Sequence, residues 1–413
     1  MNGTTPNLPL AGVRVLDMTW FVAGPTATRV LAALGADVLR VERSDSWQGF
    51  RGGDAGPNDG GMYNNLNVDK RAVKLNARHP KGLELLVELI KRHDVLIQNY
   101  SSRVFESWGL SYQELRNIKA DLIYVTITGF GHSGRNRDYV AFGPTAQALS
   151  GMTFLSGLPG EAPAGWGFSY MDHTAGYLAV MAILNALLFK RKTGKGQWID
   201  MSTLESAITQ TGPFILDYQA NGRPARRPGI PPGNRAVHPR VAPHNSYRCA
   251  GKDGVGQDEW CVIACHTEEE FHALCRVMGK PDLAKEPRFA TSRARIANED
   301  ALDAAIHAWT QGLGKYDVMY RLQEAGVAAG AVQNAADRVD RDEQLRARGM
   351  FVEVDHPALG RKPVEAVPIR FSRTPCRLDR ASPLWGEHNK EVFGAMLGHP
   401  DEELARLEGE GVI

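Results

Sequence analysis

The sequence predicts an α/β protein with a Rossmann-like large domain built from both ends of the chain and a smaller α/β domain between them. Three observations lead there. Leu10–Glu42 reads strand, helix, strand; a long apolar run ending at Lys190-Arg191-Lys192 is followed by a glycine turn and another strand; and residues 222–244 are rich in proline and arginine. The first pattern is a right-handed crossover between parallel strands, the seed of a doubly wound sheet. The third suits an extended crossing between domains. The expected division is 1–221 and 336–413 for the large domain, 222–244 for the crossing and 245–335 for the small domain.

Leu10–Asp17 is a short apolar strand, Ala23-Gly24-Pro25 opens a helix through Leu34, and Ala36–Glu42 is the second strand. Asn65–Asn76 contains a third strand, followed by a helix over Pro80–His93, a strand over Asp94–Tyr100, a short helix over Leu110–Ile118 and a strand over Leu122–Thr128. Between Gly176 and Phe189 nearly every residue is apolar, which predicts a helix buried on most of its circumference rather than on one stripe. Basic residues at its end suit the negative pole of the helix dipole, and Gly194 permits the reversal, so the helix stops near Lys192. Trp198–Met201 is a strand and Leu204–Gln219 a second buried helix. The small domain opens with a strand pair around Tyr247 and Trp260–Cys265, then helices over Thr267–Met278, Asn298–Gln311 and Lys315–Ala325. A helix over Asn334–Arg348 and a strand over Phe351–Val354 return the chain.

Several classes of function are disfavoured at once. With 23% charged residues and a formal net charge of +1, there is no electrostatic case for nucleic acid or an anionic membrane. The opening MNGTTPNLPLAG has neither a basic segment nor an apolar stretch, and the run near Gly176 reads as too short and too interrupted to span a bilayer. The expectation is a cytoplasmic protein. Five cysteines at irregular spacing argue against a disulfide framework, and Cys261, Cys265 and His266 lack a fourth ligand for zinc, so no metal is expected. The turn after the first strand, Met18–Pro25, has no Gly-x-Gly-x-x-Gly, so the pyrophosphate cradle of a dinucleotide domain is missing.

Asp172 stands just before the apolar helix. Read alone, an acid there is a helix N-cap. Its surroundings carry more: Tyr170-Met171-Asp172, the small-residue-rich helix, Thr193-Gly194-Lys195-Gly196-Gln197 and a strand containing Asp200 resemble the class III coenzyme A transferases, also called the formyl-CoA transferase or CaiB/BaiF type. The resemblance extends from Leu10 to about Leu397, through Val15-Leu16-Asp17, Gly24-Pro25, Leu34–Glu42, Asn65–Asn76 and Ser382–His388. It implies the interlocked-dimer fold of that family, a coenzyme A thioester as substrate, no permanently bound cofactor, and Asp172 as a covalent nucleophile. It also implies that Arg43 meets coenzyme phosphate and that Leu75, Asn76, Arg78, Asn99 and Tyr100 lie along the coenzyme, with Arg103 in place of the family's Arg-Pro-Gly. Val22, Ala23, Phe142 and Gly143 then border the acyl pocket. Formyl-transferring members carry glutamine at the place of Val22 and Tyr-Glu at Phe142-Gly143, which points here to a larger or dicarboxylic organic acid with a succinyl-CoA-like donor.

The implied chemistry moves coenzyme A between carboxylates through a mixed anhydride and an aspartyl-CoA thioester. Two alternatives belong to the same family. Acyl-CoA racemases need a histidine where this chain has Asp138, and His132 lies six residues upstream of it. Some relatives pair two homologous chains, so the partner is a second copy or a homologous subunit. Gly254-Val255-Gly256-Gln257 matches a glycine-rich lid poorly and reads rather as a hairpin turn.

Overall fold

The computed structural model describes residues 8–45, 51–52 and 56–413. Residues 1–7, part of the opening read above for a targeting signal, lie outside the described residues. The chain divides into two compact units: one of residues 1–153, 165–222 and 343–413, the other of 154–164 and 223–342.

The first unit is organised on six parallel strands: β1 (Arg14–Met18), β2 (Asp37–Glu42), β3 (Arg71–Lys74), β4 (Val95–Gln98), β5 (Ile123–Thr128) and β6 (Gln197–Ser202), in the order β3-β2-β1-β4-β5-β6. This is the doubly wound order whose direction reverses between β1 and β4, where a crevice opens beyond the carboxyl ends of the strands. Alternation along each strand serves two cores. Val15, Val38, Ile97 and Val125 face the helices Ala23–Ala33 and Tyr170–Thr193, with the hairpin of β10 (Phe351–His356) and β11 (Gly360–Glu365) on the same core. Leu16, Leu39, Val73 and Leu96 face the helix Pro80–Arg92 and the C-terminal helix Asp401–Gly409.

The long helix Tyr170–Thr193 ends on Gly194 in the left-handed conformation, at φ 71°. Its burial departs from the sequence expectation. Only one stripe, from Met171 through Ala175, Gly176, Ala179 and Ile183 to Ala186, is buried, whereas Tyr177, Met181, Leu184 and Leu188 are exposed. The small residues permit close approach to the helix Ala23–Ala33: a Cβ on Gly176 would stand 2.7 Å from the Ala23 carbonyl oxygen. The helix is also, at 24 residues, long and apolar enough by length and composition to cross a bilayer, contrary to the reading above. In this chain its small-residue stripe is packed in the sheet's core.

A second departure follows β6. Instead of one buried helix over Leu204–Gln219 there are two, Thr203–Ile208 and Gly212–Asn221. Pro213 has no N–H to continue the first helix and is suited to starting the next. No residue of Gly212–Asn221 is buried.

The second unit carries an antiparallel sheet of β7 (His244–Lys252), β8 (Asp258–Ala264) and β9 (Ala328–Ala331), covered by Glu268–Val277, Glu299–Thr310 and Lys315–Glu324. Residues 223–244 pack within it, Arg235 pairing with Asp300 and Asp303 and Arg240 with Glu299. Gly254–Gln257 form the β7–β8 turn, where Asp253 Oδ1 accepts the N–H groups of Val255 and Gln257 at 3.0 and 2.8 Å. The helix expected over Asn334–Arg348 is instead a one-turn π-helix at Asp337–Arg341 and a short α-helix Glu343–Ala347. Asp337 is held by Lys315 at 2.5 Å and accepts the Asn334 N–H at 3.1 Å, which anchors the start of the wider π-helical turn.

Candidate active site

Asp17, at the inner face of β1, is fully buried and organises the turn that follows. Its Oδ1 accepts the Thr19 N–H at 2.9 Å, its Oδ2 accepts the Thr28 hydroxyl at 2.6 Å, and Lys70 Nζ lies 3.1 Å from Oδ2. Burial opposes this charge, but Lys70 and Arg40 outweigh it and hold the Asp17 carboxyl below its ordinary range. Lys70 also donates to Thr28 Oγ1, Asn67 Oδ1 and the Pro25 carbonyl, tying β3 to the start of the helix Ala23–Ala33.

The turn Trp20–Val22 is secured from the other side of the switch point. Asn99, just past β4, accepts the Trp20 N–H at 2.8 Å and donates to the Trp20 carbonyl at 2.9 Å. Phe21 is held at φ 57°, a costly conformation for a bulky residue. Its ring meets Phe142 edge-on, with centroids 5.7 Å apart.

Two cavities open beyond the strand ends. The first, of about 300 Å³, lies past β1, β4 and β5 and is bordered by Phe21, Val22, Ala23, Phe142 and Asp172. The second, of about 220 Å³, lies past β1, β2 and β3 and is bordered by Arg43, Leu75, Asn76 and Arg78. Trp20, Tyr100 and Val104 belong to both linings, so the cavities share a wall. Asn99 faces the first.

Ten of the twelve site residues inferred from sequence thus fall on these two linings. Gly143 borders neither but bonds to Asp172, and Arg103 also lies outside, with its guanidinium on Asp138 (Nε to Oδ1 2.8 Å). Sequence reasoning missed Trp20, Phe21, Arg137 and Tyr139, all on the first lining. The aromatic pair directly after a strand was the available signal for the first two.

Asp172 does not cap its helix. The N-cap position is Ser169, and Asp172 sits in the first turn with its carboxylate directed across to the helix Gly143–Leu149. Its Oδ2 accepts the Gly143 N–H at 3.1 Å, one of the donors a helix start leaves unpaired. Burial pushes the Asp172 carboxyl above its ordinary value, and the bonds from Ser169 and Gly143 only partly offset it. The result is a desolvated carboxylate facing a cavity, an arrangement suited to nucleophilic or base chemistry.

No histidine lies on the first lining among the described residues. The His173 ring is 3.2 Å from Thr26 Oγ1 and stacks on Phe168, while His132 Nδ1 is 3.1 Å from Asp200 Oδ1. Asp138 is bound by Arg103 and Ser102. The C-terminal return supports the second cavity from outside, with Trp385 Nε1 donating to the Arg43 carbonyl at 3.3 Å. Arg43 itself donates to Asp45 at 2.8 Å through Nε.

Comparison with known proteins gives this geometry a family. Residues 10–389 match the model of CoA-transferase family III. The chain is 32% identical over 415 residues to the succinyl-CoA–D-citramalate CoA-transferase of Chloroflexus aurantiacus, covering 100% of both chains. It is 31% identical over 418 residues to the beta subunit of the succinyl-CoA–L-malate CoA-transferase of the same organism, again covering 100% of both. Among solved structures, a CaiB/BaiF family protein from Brucella suis superposes with a TM-score of 0.83 at 31% identity, covering 94% of this chain and 99% of that one. By its sequence along nearly its whole length and by its fold, the chain belongs to CoA-transferase family III and is a transferase.

Proposed function

We propose that this protein transfers coenzyme A from an acyl-CoA thioester to a free organic acid, with Asp172 as the covalent nucleophile. The observation that carries this reading is a half-buried carboxylate with a raised pKa, facing one cavity, beside a second cavity bordered by two arginines. The second suits the phosphates of the coenzyme, the first its acyl group.

The Asp172 carboxylate attacks the thioester carbonyl; the C–S bond breaks, giving a mixed anhydride and the coenzyme thiolate. The thiolate attacks the aspartyl carbonyl, releasing the donor acid and leaving an aspartyl-CoA thioester. The acceptor carboxylate then attacks that thioester, expelling the thiolate and forming a second anhydride. Attack of the thiolate on the acceptor's carbonyl releases the new acyl-CoA and restores the Asp172 carboxylate. Val22 and Ala23 bring the positive end of the helix Ala23–Ala33 to the first cavity, where it stabilises the oxyanions.

The acid is a larger or dicarboxylic one and the donor resembles succinyl-CoA. Supporting this are the succinyl-CoA, citramalate and malate in the names of the relatives, and the apolar Val22 and Phe142 on the first lining. Five free cysteines, four of them buried, suit a reducing, cytoplasmic setting. The enzyme works as an interlocked homodimer, a second copy covering the exposed apolar side chains Tyr177, Met181, Leu184, Phe214 and Leu216. A homologous partner subunit is the second reading, favoured by the subunit name of one relative.

The test is transfer itself. Succinyl-CoA is incubated with a panel of acids and the products are read by mass spectrometry, while light scattering reports the assembly. Hydroxylamine added during turnover should modify Asp172, and Asp172→Asn should bind coenzyme A yet transfer none. Turnover retained in that variant would overturn the covalent assignment.

A further inference from the structure

We propose that Arg137 binds the second carboxylate of a dicarboxylic substrate and thereby sets a preference for dicarboxylic over monocarboxylic acids. The inference rests on the coenzyme A-transfer reading above and assigns a residue to its substrate class. Among the described residues, two charged side chains border the first cavity: Asp172 and Arg137. A negative nucleophile repels an incoming carboxylate, so a cation in the same cavity offsets that repulsion and orients a second negative group.

The neighbourhood of Arg137 keeps its guanidinium available. The adjacent acid, Asp138, is 3.8 Å away, within ion-pair range but beyond hydrogen-bonding distance, and its carboxylate is already gripped by Arg103 at 2.8 Å. The Arg137 backbone is nevertheless fixed, its carbonyl accepting the Ser102 hydroxyl at 3.0 Å. The side chain itself is 52% exposed. Arg137 is thus a half-exposed cation on an anchored backbone, paired loosely and without a hydrogen bond to an acid that Arg103 holds more closely.

Coenzyme phosphates are the competing occupant. They have their own cations, since Arg43 and Arg78 border the second cavity and Arg137 does not. Around the first cavity the side chains of Phe21, Val22, Tyr139 and Phe142 provide an apolar wall for a short hydrocarbon spacer. Two charged groups joined by such a spacer describe a dicarboxylate, and the planar guanidinium fork pairs with a carboxylate through two parallel hydrogen bonds.

The experiment compares acids of equal length with and without the second carboxylate: succinate against butyrate, and glutarate against valerate, in wild type, Arg137→Gln and Arg137→Lys. Arg137→Gln should raise KM for the dicarboxylates by about 10- to 100-fold, the weight of a charge-assisted pair, and leave KM for the monocarboxylates within about twofold. Arg137→Lys should fall between, having the charge without the fork. Affinity for free coenzyme A, by calorimetry, should be unchanged. Equal losses for both acid classes together with weaker coenzyme binding would assign Arg137 to the phosphates and overturn the inference. So would a wild type that transfers but does not prefer dicarboxylates, or a variant that behaves like wild type. A wild type that transfers coenzyme A to none of the acids would instead refute the parent reading.

Discussion

Gly143 gives its backbone N–H to Asp172 Oδ2 at 3.1 Å, and a Cβ built on Gly143 would stand 2.4 Å from that same oxygen. The carboxylate therefore occupies the space a side chain would need. Gly143→Ala should fold normally, since its helix can hold alanine, but it should push the Asp172 carboxylate out of line. A displacement approaching 1 Å costs on the order of 100-fold in rate. Steady-state kcat/KM, with thermal unfolding as the control for folding, checks this; wild-type activity in Gly143→Ala would show that the contact is not needed.

Burial raises the Asp172 carboxyl above its ordinary value of 3.8. A nucleophile must be ionised, so kcat/KM should fall on the acid side at a higher pH than an exposed aspartate would give. The sign for stability is opposite. The folded protein holds this proton more tightly than the unfolded chain, so ionised Asp172 destabilises the fold above its folded pKa, and the cost disappears as pH falls through that pKa toward 3.8. Asp172→Asn should consequently have an unfolding midpoint at neutral pH no lower than wild type. A clearly lower midpoint would make the carboxylate a structural group.

Asn99 satisfies both the N–H and the carbonyl of Trp20 across the switch point. Asn99→Leu leaves both unpaired and should cost about 2 kcal/mol of stability, at roughly 1–3 kcal/mol for a buried unpaired group reduced by partial exposure. Because Trp20 borders both cavities, coenzyme A binding should weaken as well. Denaturant unfolding and calorimetry measure the two effects.

Lys70 and Asp17 are both fully buried and 3.1 Å apart. Lys70→Met leaves the Asp17 carboxylate with Arg40 at 3.9 Å as its remaining cation, and should destabilise by about 3–5 kcal/mol, the range for breaking a buried pair from one side. A loss below about 1 kcal/mol in chemical denaturation would contradict this.

Arg43 is partly engaged by Asp45, and its side chain is 41% exposed. Arg43→Ala should therefore weaken coenzyme A binding by about 0.5–1 kcal/mol, with a strong dependence on salt. Calorimetry at low and high ionic strength tests it; identical affinities in wild type and variant would remove Arg43 from the site.

What the sequence determined by itself was local. The strand runs from Val15 to Thr126, the basic and glycine-marked end of the long helix at Lys192–Gly194, and the Thr267 capping box each depend on residues a few positions apart, and each could be read from periodicity and end chemistry. The position of Asp172 near the start of its helix was legible too, but not that its carboxylate reaches across to another element instead of capping. That was decided by Gly143, 29 residues away, just as the turn at Trp20 was decided by Asn99, 79 residues away. The β3-β2-β1-β4-β5-β6 order likewise depends on pairings between distant segments. An apolar run does not say which of its faces finds a partner. Only packing against the Ala23–Ala33 helix selected the small-residue stripe of Tyr170–Thr193 and left Tyr177 and Met181 outside, because close approach requires the absence of side-chain bulk at Gly176.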